Sequence, residues 1–174
     1  AKLTAIYLRA STDYQTVEQQ KEQILQRIRW MKKLADDENP NVIYFQDEGV
    51  SAKQQKSLRQ RSKKAADGGA ALMKAIDDGI IEDLFVIDFD RLWRHGLTGI
   101  TEAIYILEKD VKIYAASGNT ILDLTTSDGF VAFWNTLGSA QFESMRLSER
   151  VSRKMDLMSK QGKAVSGMVY GWDI

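Results

Sequence analysis

Leu84-Phe85-Val86-Ile87, running straight into Asp88-Phe89-Asp90-Arg91-Leu92-Trp93-Arg94-His95, decides how this chain folds. Four consecutive apolar residues bounded by charge are expected of a strand covered on both faces, as in a parallel sheet with helices on each side. Towards the N-terminus, residues 4–8 read as a short strand and residues 14–35 as a helix. Its apolar side chains Val17, Ile24, Ile28, Met31 and Ala35 recur at helical spacing, and Thr16 with Gln19 makes a capping box. Residues 41–45 supply a second strand, and a helix over about 70–78 stops at Gly79, a residue suited to a left-handed terminus. Towards the C-terminus, Ile100, Ile104 and Leu107 mark one face of a helix, 111–116 the next strand and 121–124 a short edge strand. Strands alternating with helices predict an α/β fold, a mainly parallel central sheet flanked by helices.

From Ser127 to about Lys160 there is no Pro, with Ser127 or Asp128 available as N-cap, so one long helix is expected. Its first half is apolar on more than one face (Phe130, Val131, Phe133, Trp134, Leu137, Phe142, Met145), more than a small sheet covers, which points to a subunit partner. Basic charge gathers in its second half, where it also complements the helix dipole. The expected organisation is an α/β core over 1–126, the long helix for assembly over 127–163, and a further segment over 164–174.

The length of 174 residues suits one core rather than two full domains. With no Cys and a single His, His95, the chain has neither a disulfide framework, a thiol nucleophile nor an ordinary Cys/His zinc site. No apolar run is long enough to cross a bilayer, and the N-terminus lacks signal-peptide features, so a cytoplasmic location is expected. Net charge is zero and does not by itself point to nucleic acid. The stretch from 53 to 64, however, carries Lys53, Lys56, Arg59, Arg61, Lys63 and Lys64 without an acid and reads as an exposed loop.

Two constellations stand at strand exits, where open α/β sheets place their ligands. Arg9-Ala10-Ser11 leaves the first strand, and alternation puts Arg9 and Ser11 on one side. A Ser beside an Arg is, taken alone, an ordinary turn element. Asp88 to His95 leaves the buried strand; Arg91 and Arg94 are three apart, so on a helical turn both guanidinium groups share a face and can grip one phosphate. Exposed charges there are commonly just solvated. Together, a hydroxyl and several Arg form a phosphoryl-transfer site that needs no metal. Enzymes lower barriers by roughly 8–23 kcal/mol and one transition-state donor contributes about 3–4 kcal/mol, so several cations are required.

Tyr7-Leu8-Arg9-Ala10-Ser11-Thr12-Asp13 with Gln15, Asp47-Glu48-Gly49-Val50-Ser51, Asp90-Arg91-Leu92-Trp93-Arg94, and Glu149-Arg150 on a long helix together resemble the catalytic domain of serine recombinases over nearly the whole chain. The closing Tyr170-Gly171-Trp172 resembles the start of the next domain in large serine integrases and transposon recombinases. The resemblance implies that Ser11 attacks a DNA phosphodiester, giving a 5′-phosphoseryl link and a free 3′-hydroxyl. Strand exchange and religation then follow without cofactor or metal. It implies that Arg9, Arg91 and Arg94 surround the phosphate, that Asp90 orients them, and that Gln15 lies near the nucleophile. A further family arginine is matched by Arg61 in preference to Arg59. Trp93 stands where many members carry a small residue. The implied partners are double-stranded DNA, a homodimer and a synaptic homotetramer, with C-terminal DNA-binding domains outside this sequence and no membrane. Arg150, Arg153 and Lys154 are the expected DNA-backbone contacts. The base for Ser11 is not identified, and His95 is not assigned. Two rivals remain: a metal-dependent nuclease or topoisomerase-like domain holding Mg²⁺ with Asp88 and Asp90, and a noncatalytic α/β dimerisation module. A serine hydrolase is disfavoured by the lack of a Gly-x-Ser-x-Gly elbow.

Overall fold

The computed structural model describes residues 2–9, 17–35, 40–47, 57–61, 67–93, 96–116 and 118–161, without the side chains of 140–145, 147 and 159. In chain order the elements are β1 (Leu3–Arg9), α1 (Val17–Lys32), β2 (Val42–Asp47), a 3₁₀ turn (Leu58–Gln60), α2 (Gly69–Asp77), β3 (Ile81–Val86), α3 (Phe89–Leu92), α4 (Gly96–Glu108), β4 (Lys112–Ala115), β5 (Leu122–Asp123) and α5 (Ser127–Lys160). The sheet runs β2-β1-β3-β4-β5. The first four strands are parallel and β5 closes the edge antiparallel to β4. This is the expected mainly parallel α/β architecture followed by a long helix. Among the described residues no helix is long and apolar enough to cross a membrane.

Period-two alternation sorts the strand residues into two cores. Ala5 and Tyr7 of β1, Leu84 and Val86 of β3, and Ile113 and Ala115 of β4 face the layer built by α2, α3, α4 and the start of α5. Ile6, Leu8, Phe85 and Tyr114 face α1 through Ile24 and Ile28. Both faces of β1 are buried, which is why LTAIYLR reads as a nearly continuous apolar run. Phe85 stacks on Tyr114 at 4.7 Å between ring centroids, stitching the two strands on the α1 side.

Three details differ from the sequence expectation. Ile104 is half-exposed, and α4 instead buries Gly99, Glu102, Ala103 and Ile106. At one point on that face the crossing is close: a Cβ at Gly99 would lie 2.8 Å from both Leu137 Cδ1 and Trp93 Cβ, so position 99 has no room for a side chain. The long helix is capped by Thr126, whose Oγ1 accepts the Gly129 N–H at 3.2 Å, rather than by Ser127 or Asp128. The end of the basic stretch is not an exposed loop: Leu58 and Arg61 are buried, because Leu58 is a member of the larger core. Within α5, Phe133 and Leu137 point into that core, whereas Phe130, Val131 and Trp134 are about half exposed, so apolar surface faces outward as well as inward. Phe142 and Met145 lie among the side chains outside the description.

Candidate active site

The order 2-1-3-4 reverses direction between β1 and β3, and ligands of open α/β sheets bind beyond the carboxyl ends of strands at such a point. β1 ends there with Arg9, and β3 leads there into α3 with Asp90 and Arg91. Arg9 is buried, and its Nη1 donates to the backbone carbonyls of Asp90 at 3.4 Å and Arg91 at 3.3 Å. A cation on the terminal carbonyls of a one-turn helix satisfies acceptors that have no intrahelical donor. The Arg9 carbonyl in turn accepts from Gln20 Nε2 on α1 at 3.2 Å, so a buried amide fixes the end of β1 from the other face.

Asp90 and Arg91 face one another, with Arg91 Nε 3.7 Å from Asp90 Oδ1. Each of these two atoms is buried and has no hydrogen-bond partner among the described residues. Much of the Asp90 side chain remains open to solvent, so the pair lines an accessible rim rather than the core. The helix stops at Leu92 and Trp93 is extended, so the spacing argument placing Arg91 and Arg94 on one helix face does not carry past Leu92. Arg94, Ser11 and Gln15 lie outside the described residues.

Arg61 and Arg59, two residues apart, have opposite environments. Arg61 is buried and donates from Nη1 to the Tyr7 hydroxyl at 3.1 Å. Arg59 is on the outside of the 3₁₀ turn, forked onto Asp77 at 2.7 and 3.1 Å and stacked over Tyr105. That hydrogen bond raises the Arg59 pKa and lowers that of Asp77.

Sequence reading did not single out Tyr7, Asp47 or Glu102 as site residues. The Tyr7 hydroxyl donates to Asp47 Oδ2 at 2.5 Å while accepting from Arg61, and Asp47 Oδ1 accepts the Gly69 N–H at the start of α2. All three side chains are buried. Burial, above all, raises the Tyr7 pKa; the Asp47 carboxylate adds to the rise and the Arg61 guanidinium opposes it. The phenol therefore remains protonated near neutral pH and serves as a fixed donor, not as a base. Parallel register was the available signal: Tyr7 pairs with Phe45 and Arg9 with Asp47, which brings the end of β2 to the end of β1.

Arg150, Arg153 and Lys154 are exposed on α5, with Arg153 only loosely paired to Glu149 at 3.9 Å. For the Mg²⁺ rival, Asp88 occupies the extended N-cap position of α3 while Asp90 faces Arg91. No group of three His, Cys, Asp or Glu suited to a cation occurs among the described residues.

The family described as Resolvase, N terminal domain, matches residues 4–164. No curated protein sequence matches the chain. Among solved structures, the N-terminal catalytic domain of TP901-1 integrase is similar at 18% identity and a TM-score of 0.55, covering 84% of this chain and 98% of that one. A resolvase family site-specific recombinase from Streptococcus pneumoniae is similar at 16% identity and a TM-score of 0.54, covering 94% and 100%. At these identities the structures speak for the fold, while the family match spans nearly the whole sequence, and the chain belongs to the resolvase family of serine recombinases through that family's N-terminal domain.

Proposed function

We propose that this chain is the catalytic and assembly module of a site-specific DNA recombinase in which Ser11 is the nucleophile. The Ser11 oxygen bonds to the scissile phosphorus as the bond to the 3′-oxygen breaks, leaving a 5′-phosphoseryl link and a 3′-hydroxyl. Reversal of the same step on a new partner rejoins the strands, so the ester energy is retained throughout. The observation that carries this reading is the convergence of Arg9 with Asp90 and Arg91 at the sheet's switch point, two residues before Ser11. Fixed guanidinium groups at such a point stabilise charge growing on phosphate oxygens, each contributing about 3–4 kcal/mol in the transition state. Arg61 adds a further cation from the buried Tyr7–Asp47 side, with Arg94 and Gln15 completing the set.

The outward apolar face of α5 is the surface for a second copy, and the exposed Arg150, Arg153 and Lys154 contact DNA phosphates. Domains that choose the DNA sequence lie beyond this module. A nicked suicide duplex tests the chemistry: the protein becomes covalently attached to a 5′-phosphate in the presence of chelator, and Ser11→Ala abolishes the adduct while folding is retained. Undiminished adduct formation by that variant refutes the assignment.

A further inference from the structure

Glu102 is a carboxylate on the core side of α4, with a residue exposure of 9%, and among the described residues its hydrogen-bond donors are the Leu58 N–H and the Trp93 indole, neither of them a cation. Its oxygens accept the Leu58 N–H at 3.0 and 3.2 Å, and Oε2 also accepts the Trp93 indole N–H at 2.9 Å. These donors belong to two different pieces of the site. Leu58 opens the 3₁₀ turn whose last hydrogen bond, from the Arg61 N–H to the Leu58 carbonyl at 3.1 Å, delivers Arg61. Trp93 closes the helix that carries Asp90 and Arg91, its own N–H bonded to the Phe89 carbonyl at 3.0 Å. A buried carboxylate is tolerated only where its oxygens are well satisfied, and here both satisfying donors come from arginine-bearing segments.

Resting on the recombinase reading above, we infer that Glu102 is a positioning residue: one side chain sets the spacing between the Arg61 turn and the Arg91 helix. Trp93 is the matching half of the device. Its indole reaches Glu102 with one edge and packs edge-on against Phe133 of α5 with its ring, the centroids 5.6 Å apart. Gly or Ala at 93 has no side-chain donor to offer this carboxylate, so Glu102 and Trp93 act as a pair. The pair also joins the spacing of the two arginine segments to the seat of the assembly helix, because Leu137 of α5 and Trp93 meet across Gly99.

The test measures single-turnover adduct formation by the full chain on a nicked duplex carrying its recombination site, together with the protein concentration giving half-maximal rate. Glu102→Ala is expected to slow the saturated rate about tenfold or more, the scale of a small misplacement of catalytic groups. The half-saturating concentration should stay within about twofold, since binding is not what the pair controls. Glu102→Gln, which keeps an acceptor oxygen, should recover most of the rate. An unchanged saturated rate in Glu102→Ala, or a loss confined to the half-saturating concentration or to the folded fraction, overturns the inference. Should Glu102→Ala not fold, Trp93→Phe decides: it keeps a ring and loses only the indole donor, and an unaltered rate again overturns the inference. Ser11→Ala separates the two levels, for absence of a Ser11-dependent adduct from the unaltered protein refutes the recombinase reading itself.

Discussion

Replacing Asp47 with Asn tests how the buried side of the site is held. The carboxylate accepts at both oxygens, from the Tyr7 hydroxyl and from the Gly69 N–H, while Tyr7 also receives a bond from buried Arg61. An amide of the same shape supplies one accepting oxygen and one NH₂. With the oxygen kept on Tyr7, the NH₂ faces the Gly69 N–H at a distance of 3.1 Å, donor against donor; flipped, it leaves the phenol to find another acceptor. In either orientation one buried hydrogen bond is lost and a negative charge near Arg61 disappears. Together these cost about 2–4 kcal/mol. For a domain of this size, that lowers Tm by roughly 5–12 °C. Thermal unfolding followed by circular dichroism, backed by urea titration to confirm an unchanged m-value, reads the effect directly. Adduct formation should fall as well, since Arg61 loses the anchored phenol. A Tm within about 2 °C of the unaltered protein, outside the range expected for this loss, would show that Asp47 is not holding the cluster.

Arg59 and Arg61 should separate cleanly. Arg59→Ala removes a half-exposed ion pair, costs at most about 1 kcal/mol by chemical denaturation and leaves adduct formation intact. Arg61→Ala removes a buried guanidinium next to Tyr7 and should reduce adduct formation about a hundredfold or more. Alkaline pH offers a test without mutation. The Tyr7 pKa is raised, mainly by burial, and that of Tyr114 is pushed up to about 12, by burial first and then by Asp83 and Asp123. Groups whose protonated form is favoured by folding contribute their full stability below the ordinary value of 10.0 and lose it as pH climbs through the folded values. Stability should therefore decline from pH 10.0 upward, with tyrosinate absorbance showing a late component that coincides with unfolding; early ionisation of all tyrosines in a folded chain would contradict this.

The parts legible in the sequence are those set by local pattern. Strand alternation placed the parallel core, and the Pro-free text from Ser127 gave a helix with bounds Ser127–Lys160. Hydrophobicity misled where packing demanded smallness or a polar group. Ile104 looked like core, yet the buried face of α4 runs through Gly99, Glu102, Ala103 and Ile106, with Gly99 where Leu137 and Trp93 leave no room for a Cβ and Glu102 where buried donors need an acceptor. Charge density misled around 53–64, where Leu58 was the isolated apolar clue to a buried turn. The Tyr7–Asp47–Arg61 cluster spans three segments, and only strand register joins the first two; Tyr7 by itself is indistinguishable from a core aromatic. Ser11, Gln15 and Arg94, named from sequence, lie outside the described residues, so their roles rest on the proposal above.

The inward face of α5 bears on how such a module can be cut and rejoined. Phe133 packs edge-on against both Phe89 and Trp93, at 5.5 and 5.6 Å, and Leu137 fills the space beside them. A splice at residue 126 would strip this aromatic lid and leave bare carbon directly beneath the segment bearing Asp90 and Arg91. Chimeras that borrow a foreign targeting module therefore need their joint downstream of Leu137, with the first three turns of the helix inherited as part of the enzyme rather than as a detachable arm.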